Sequence, residues 1–383
     1  MHILEIPSLF PPFGGLFCLD QAKALSLAGH EVRILSNVQL SVRINRWRYL
    51  TYPYGRHWMD MDGILVYQSY QRGIPKLIRP NVKRWVSIVR SMFEDYMRQY
   101  GKPDILHAHA INWAGYAAML IGRDYHIPYV VTEHSSRLVF ESEYGPAPSD
   151  TWQIPMLREA YKHAARVIPV SEELVDNIAC YFGNDYQWTA ISNVVDVDFF
   201  HYQQRSPLQE RPFRFCCIAN NLPTKGYDVL LPAFKLLHQH HPNVELYMAG
   251  YGTGTKAFRS QLDTSCMYAY GKVDKKGVRD LLYQCDAFVL ASRSEAQPLV
   301  LLEAMSTGIP VIATECTPRS LRIEDSCTIV PIGNVEALFN AMKKLAEQPQ
   351  FDGHHLVEEV HRLASPVSVG HQLEDLFRAI VSK

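Results

Sequence analysis

Ser294-Glu295-Ala296-Gln297-Pro298-Leu299-Val300-Leu301-Leu302-Glu303-Ala304-Met305-Ser306-Thr307-Gly308 reads as a helix with both ends marked. Proline suits the first turn, where its missing N–H has no bond to lose, and glycine suits the position just past the last turn. The spacing predicts a helix over about 298–307, with Glu295 in the loop before it and Glu303 inside it. Residues 287–290 upstream and 310–313 downstream are short apolar runs of the kind that become strands buried on both faces. Strand, helix, strand is a βαβ unit, and it implies a parallel sheet.

The alternation extends in both directions. Residues 213–219 and 244–249 are further buried-strand runs with helical segments between them. At the N-terminus Ile3-Leu4-Glu5-Ile6 is strand-like, Pro11-Pro12-Phe13-Gly14-Gly15 must turn tightly, residues 16–28 have helical apolar spacing up to Gly29, and Val32-Arg33-Ile34-Leu35 returns to strand. Residues 104–108, 129–132, 167–170 and 189–191 also read as strands, with 114–121 helical. The polar, proline-containing residues 201–212 are the best linker. A chain of 383 residues also exceeds what one core serves, at roughly 150 residues per domain. The expected architecture is α/β: two Rossmann-like αβα domains, 1–204 and 205–365, and a C-terminal helix in 366–383 packing back on the first domain.

Composition excludes several classes. An apolar fraction of 47% with 20% charged residues is that of an ordered globular chain. With 38 basic against 39 acidic residues, the chain has no global footprint for nucleic acid. Its eight cysteines show no zinc-ligand spacing and read as reduced thiols of a cytoplasmic protein. The N-terminus lacks a signal-peptide pattern, and no apolar run reaches the length of a membrane span. Charge is uneven, however: residues 43–98 hold eleven basic and four acidic residues, a local balance of +7. The helix expected over 82–97 sets Val82, Trp85, Val86, Val89, Met92, Phe93, Tyr96 and Met97 on one stripe and Lys83, Arg84 and Arg90 on the other side. That patch, with Trp47, Tyr49 and Trp58, is either a solvated basic face or a contact for an anionic acceptor or the inner face of an anionic membrane.

Helix starts expose unpaired amides, so those of Leu299 and Val300, after Pro298, are candidate holders of a diphosphate. Glu303, in an otherwise apolar helix, needs a polar partner, and sugar hydroxyls are one candidate. Glu295 and Glu303, followed by Glu-Ala-Met-x-x-Gly-x-Pro-Val-Ile, resemble the signature of glycosyltransferase family 4 (glycosyl transferases group 1). In that family a GT-B fold closes two Rossmann-like domains around a nucleotide sugar across a central cleft. Gly14-Gly15 resembles the family's N-terminal glycine loop, and Gly29-His30-Glu31-Val32 its GHEV. His107-Ala108-His109 resembles its HxH, Ser192-Asn193-Val194-Val195-Asp196 its NGVD, and Lys225-Gly226-Tyr227-Asp228 its KG-x-D. The resemblance covers about residues 1–345.

The resemblance implies a retaining, metal-independent transferase that moves a sugar from a UDP- or GDP-linked donor to a hydroxyl of a glycan or lipid-linked acceptor, in cell-surface polysaccharide or glycolipid biosynthesis. Lys225 would neutralise the departing diphosphate, Glu295 would hold the donor sugar, Glu303 the ribose, and His109 would contact the sugar near its reacting carbon. His107 would be scaffold. Gly14 and Gly15 would let the backbone approach the ligand. No cofactor beyond the donor is expected, and no metal: Asp60-Met61-Asp62 and Asp196-Val197-Asp198 offer too few oxygens for a hard cation. The chain departs from the family pattern in three places. Ala219-Asn220-Asn221-Leu222 stands where an arginine precedes the lysine, leaving Asn221 with only a neutral hydrogen bond to offer; Val194 replaces a glycine; and Gln297 replaces an aromatic or aliphatic residue. A GT-B epimerase acting on a nucleotide sugar, and a non-catalytic nucleotide-sugar-binding scaffold, share the same architecture.

Overall fold

The computed structural model describes residues 1–45, 47–204, 211–348 and 351–382. The chain forms two compact units, Met1–Val194 with Pro366–Lys383, and Val195–Ser365. The second unit thus starts at Val195, not at residue 205. Val195, Val197 and Phe200 are buried in its core, and Val195 N–H bonds Ala364 C=O at 2.8 Å. Of the linker expected over 201–212, residues 205–210 lie outside the described residues, while Tyr202 stacks on His354 inside the second unit.

The first unit is built on a seven-stranded sheet of β1 (His2–Pro7), β2 (Glu31–Leu40), β3 (Arg56–Met61), β4 (Ile64–Arg72), β5 (Ile105–His109), β6 (Tyr129–Glu133) and β7 (Arg166–Pro169), in the order β3-β4-β2-β1-β5-β6-β7. All pairings are parallel except β3 with β4. This hairpin turns through Asp62 and Gly63 and falls in the basic segment, where strand patterning was not evident. Residues 189–191 form no strand; a single bridge joins Trp188 to Val167, although Thr189 and Ile191 N–H still reach the backbone of β7. The helix Ile78–Tyr100 is longer than expected and buries Val82, Trp85, Val86, Val89, Met92, Phe93 and Tyr96. The terminal helix Pro366–Val381 lies so close to the helix Leu16–Leu27 that a Cβ at Gly370 would come within 2.6 Å of Ala24 O. Val194, at the family's glycine position, is buried in a cluster with Val369, Leu373 and Phe377, so its side chain serves as core.

The second unit has a six-stranded, all-parallel sheet: β8 (Phe213–Ile218), β9 (Val244–Ala249), β10 (Met267–Ala269), β11 (Ala287–Leu290), β12 (Val311–Thr314) and β13 (Cys327–Val330), in the order β10-β9-β8-β11-β12-β13. This is the doubly wound Rossmann order, in which ligands bind outside the carboxyl ends of the strands where the winding reverses. Here the reversal falls between β8 and β11, and in the first unit between β1 and β5. The helix Leu299–Ser306 follows β11, with Pro298 as its N-cap and Gly308 at φ +77° beyond its end.

Candidate functional site

The loops leaving β8 and β11 flank the reversal in the second unit, and they carry the two charges picked out from the sequence. Lys225 ends a short 3-10 turn, Pro223–Lys225. Gly226 follows at φ +68°, and a Cβ there would lie 1.9 Å from Ala291 O, so only glycine allows this turn to sit against the end of β11. Arg293 fastens the same two loops. Its N–H bonds Thr224 O (2.8 Å), and its guanidinium reaches Pro223 O (2.6 Å) and forks onto both carboxylate oxygens of Asp228 (2.9 and 2.6 Å). The guanidinium holds the Asp228 carboxyl below its usual range.

Within this frame the Lys225 ammonium lies 2.6 Å from Glu295 Oε1, which also accepts from Ser292 Oγ at 2.6 Å. Ser292 is held in turn, its carbonyl accepting from Thr314 Oγ1 at 2.6 Å. Both Leu301 and Leu302 N–H turn back to Pro298 O, and helix geometry leaves the amides of Leu299 and Val300, the two residues before them, without an intrahelical acceptor. Glu303 is half-buried on a helix whose Leu301, Leu302, Ala304 and Met305 are buried. Gln297 is buried and Asn221 exposed. A cavity of about 590 Å³ opens beside the lysine turn, lined among others by Asn221, Thr224, Tyr227, Asp228 and Arg293.

The reversal in the first unit carries a different chemistry. Glu5 on β1 sits in register with His107 on β5, and His109 is two residues on, so all three side chains share one sheet face. All three are fully buried. Glu5 accepts from His107 Nδ1 (3.0 Å) and from His109 Nε2. His107 Nε2 meets Thr132 Oγ1 at 2.7 Å, His109 Nδ1 meets His134 Nε2 at 3.2 Å, and His134 Nδ1 meets Asn193 Oδ1 at 2.9 Å. Burial alone would push the Glu5 carboxyl up, but the two histidines outweigh it and hold it down to about 2; burial pushes His109 down to about 4 and His134 down as well.

The comparisons with known proteins agree along most of the chain. Residues 15–199 match Glycosyltransferase Family 4, and residues 212–348 match Glycosyl transferases group 1. The chain belongs to the family 4 glycosyltransferases. TuaC of Bacillus subtilis, assigned to teichuronic acid biosynthesis as a glycosyltransferase, is 24% identical over 370 residues, covering 91% of this chain and 86% of TuaC. The sucrose-phosphate synthase of Thermosynechococcus elongatus superposes with a TM-score of 0.78 at 16% identity, covering 100% of both chains. HepE of Anabaena, solved in complex with UDP, superposes with a TM-score of 0.70 at 17% identity, covering 99% of this chain and 100% of HepE. The fold of this glycosyltransferase is therefore GT-B.

The other residues singled out in the sequence are engaged within the protein. Both ring nitrogens of His109 are engaged inside the protein and the residue is fully buried, so the half-buried His134, stacked on Phe17 at 3.8 Å, is the histidine nearer the surface. Gly15 (φ +79°) serves its own loop: a Cβ would lie 1.9 Å from Leu9 O, while one at Gly14 would meet nothing within 4 Å. Arg293 does not replace the missing family arginine as a free cation, because Asp228 and the lysine turn occupy it. The Asp-x-Asp triplets have structural partners: Asp60 accepts from Gly63 N–H, Asp62 pairs with Lys23, and Asp196 pairs with Lys275. Among the described residues the three-ligand set close enough for a metal is Glu5, His107 and His109, whose atoms already bond one another. Sequence reasoning passed over Glu5, His134 and Arg293. A carboxylate inside the apolar run Ile3-Leu4-Glu5-Ile6 was a usable signal, because a buried acid needs dedicated partners.

Proposed function

We propose that this glycosyltransferase is retaining and metal-independent, and that it moves a sugar from a UDP- or GDP-linked donor to a hydroxyl of a glycan or lipid-linked acceptor in cell-surface polysaccharide or glycolipid biosynthesis. The observation that carries the reading is the Lys225–Glu295 pair beside the first turn of the helix Leu299–Ser306. It puts a cation, unpaired amides and a carboxylate within one small region, and these are the groups that leaving a diphosphate requires. The carboxyl-end position of both loops, the likeness to TuaC and the UDP bound to HepE support it. In this reading Lys225 leaves Glu295 for the diphosphate as the glycosidic bond lengthens. Glu295, released, accepts from hydroxyls of the donor sugar, and Glu303 accepts from the ribose. The departing phosphate oxygen takes the acceptor proton on the same face, so the configuration at the anomeric carbon is kept. A screen of UDP-glucose, UDP-galactose, UDP-N-acetylglucosamine and GDP-mannose against an acceptor panel, read by mass spectrometry, tests it. Isomerised donor with no acceptor present would indicate the epimerase instead, and nucleotide binding without turnover the scaffold.

We further propose that the protein works at the inner face of an anionic membrane. Much of the basic segment is spent internally: Arg56 and Arg98 pair with Asp95, Arg90 pairs with Asp124, Trp58 stacks on Tyr67 and Tyr49 bonds Gly73 O. What remains outward is apolar and basic together. Trp47, Leu50, Tyr54, Ile74, Leu77 and Ile78 are between 46% and 73% exposed, next to exposed Lys76, Arg79, Lys83 and Arg84. Arg72 joins the two stretches, capping the carbonyls of Tyr49, Tyr52 and Pro53 and covering the Tyr54 ring at 3.6 Å. Insertion of apolar side chains framed by cations suits anionic headgroups. Flotation with phosphatidylglycerol vesicles should recover the protein and phosphatidylcholine vesicles should not. Ile78→Ser should weaken recovery, and equal recovery on both vesicle types refutes the idea.

A further inference from the structure

Two tryptophans far apart in sequence meet on the first unit. Trp113 lies in the turn Ile111–Gly115 that leaves β5, and Trp152 caps the helix Gln153–Lys162. Their rings are nearly parallel, tilted by 11° with centroids 5.7 Å apart, and both residues are half-buried. Trp85, by contrast, is spent in the core, its indole N–H donating to Asn37 O at 2.7 Å. Among the described residues neither the Trp113 nor the Trp152 N–H has an acceptor, and neither is sealed from water. Indole N–H groups are normally paired once buried, so this pair keeps both donors open to something outside the chain.

The groups around the pair are polar and come from one edge of the sheet. Asn112 donates its Nδ2 to Glu143 Oε2 at 2.6 Å. Glu143, on the helix Arg137–Tyr144 that follows β6, is exposed, yet crowding by the protein pushes its carboxyl up, as at the wall of a recess. A carboxylate has about four lone-pair sites, so the bond from Asn112 leaves room for further donors. Arg79, in the first turn of the helix Ile78–Tyr100 after β4, sets its guanidinium 5.5 Å from the Trp152 ring and has no carboxylate partner among the described residues. Because β4, β5 and β6 run parallel, the segments that follow them emerge together. Trp152 joins them because the helix it caps runs back toward the start of β7.

We propose that Trp113 and Trp152 form a carbohydrate-binding platform, a site for one pyranose unit of a glycan, with Glu143 and Arg79 bonding its hydroxyls. A pyranose with equatorial hydroxyls has a face of C–H bonds and a rim of hydroxyls. The C–H face, slightly positive, packs on the negative face of an indole, while the rim needs donors and acceptors beside the ring. Two open N–H groups, a carboxylate and a guanidinium supply them. An acyl chain laid on the same rings would leave these groups unpaired. Every residue of the platform belongs to the first unit, and its occupation needs no reaction, so the inference goes beyond the transferase reading.

Methyl β-D-glucopyranoside, whose ring hydroxyls are all equatorial, is the probe. Titrated into the nitrogen-15-labelled full chain with UDP present throughout, it should shift the indole N–H resonances of Trp113 and Trp152 and leave that of Trp85 in place. Saturation transfer should be strongest at the axial hydrogens of one sugar face. Trp113→Ala and Trp152→Ala should each lower glycoside affinity by about fivefold or more, with UDP binding in calorimetry unchanged. Glu143→Gln, an exposed change that leaves both rings in place, should lower it about threefold and serves should the alanine variants fail to fold. Absence of indole shifts at Trp113 and Trp152 in the wild type, or unchanged affinity in a folded variant, overturns the proposal. A wild type that shifts both indoles yet transfers no sugar from any donor refutes the transferase reading and not this one.

Discussion

Replacing Lys225 by methionine removes one charge and little volume, and it tests the donor site directly. A diphosphate gains about one negative charge as its bond to the sugar breaks. An ammonium about 4 Å from that charge, at an effective dielectric near 20, is worth about 4 kcal/mol. In the structure the ammonium already has a partner, Glu295, and a quarter of the lysine side chain is exposed. The ammonium exchanges one anion for another, and Glu295 keeps its bond from Ser292 Oγ and gains sugar hydroxyls, so the exchange costs about 1 kcal/mol, the worth of one net hydrogen bond. The net differential stabilisation is therefore about 3 kcal/mol, a loss of roughly 100-fold in kcat for Lys225→Met. Donor KM should move much less, since the amides of Leu299 and Val300 and the rest of the pocket still bind the ground state. Glu295 keeps its bond from Ser292 Oγ, so the fold should survive, with the melting temperature lowered by a few degrees. Steady-state kinetics with varied donor, beside a thermal melt, measure both. A folded Lys225→Met enzyme with kcat within threefold of the wild type refutes the argument, because no charge on the diphosphate would then depend on this residue.

Other outcomes follow from the same geometry. Glu303→Gln should weaken binding of UDP-linked donor about tenfold in calorimetry, by replacing a charged acceptor for hydroxyls with a neutral one. Gly226→Ala forces a Cβ to within 1.9 Å of Ala291 O at φ +68°, so it should destabilise the protein by more than about 1 kcal/mol in denaturant melts and lower kcat by displacing Lys225. Acid should act through the histidine chain. His109 is depressed to about 4 and Glu5 to about 2, so both favour the deprotonated form in the folded state. The stability from His109 is complete above its unfolded value near 6.5 and is lost as pH falls from there toward 4, and that from Glu5 is lost below about 4.5. Melting temperatures across pH 7.5 to 3.5 should fall on that schedule, and a flat profile down to pH 4 would contradict the burial of His109.

How much of this the sequence disclosed depends on the range over which each feature is encoded. The helix Leu299–Ser306 and most of the parallel strands are local, written in proline, glycine and apolar runs, and they fall close to where the pattern puts them. Residues 189–191 failed because an apolar triplet beside a strand can follow its backbone without joining the ladder. The β3–β4 hairpin was hidden because Arg56–Met61 is a half-exposed edge whose apolar residues do not alternate cleanly with polar ones. At the site, Lys225 and Glu295 were found through their motifs, but not their mutual contact, which spans seventy residues of sequence. Arg293 was invisible for the same reason: its meaning lies in Asp228 and in two carbonyls across the strand reversal. His109 was singled out through its likeness to the family's HxH, while its burial and its bond to Glu5 come from strand register.

The two strand reversals are built in opposite senses. In the second unit the loops after β8 and β11 carry a lysine, helix-start amides and two further acids on or near the surface, where a charge can change partners. In the first unit the matching positions on β1 and β5 hold a carboxylate and two histidines fully buried and mutually bonded, where charge is fixed.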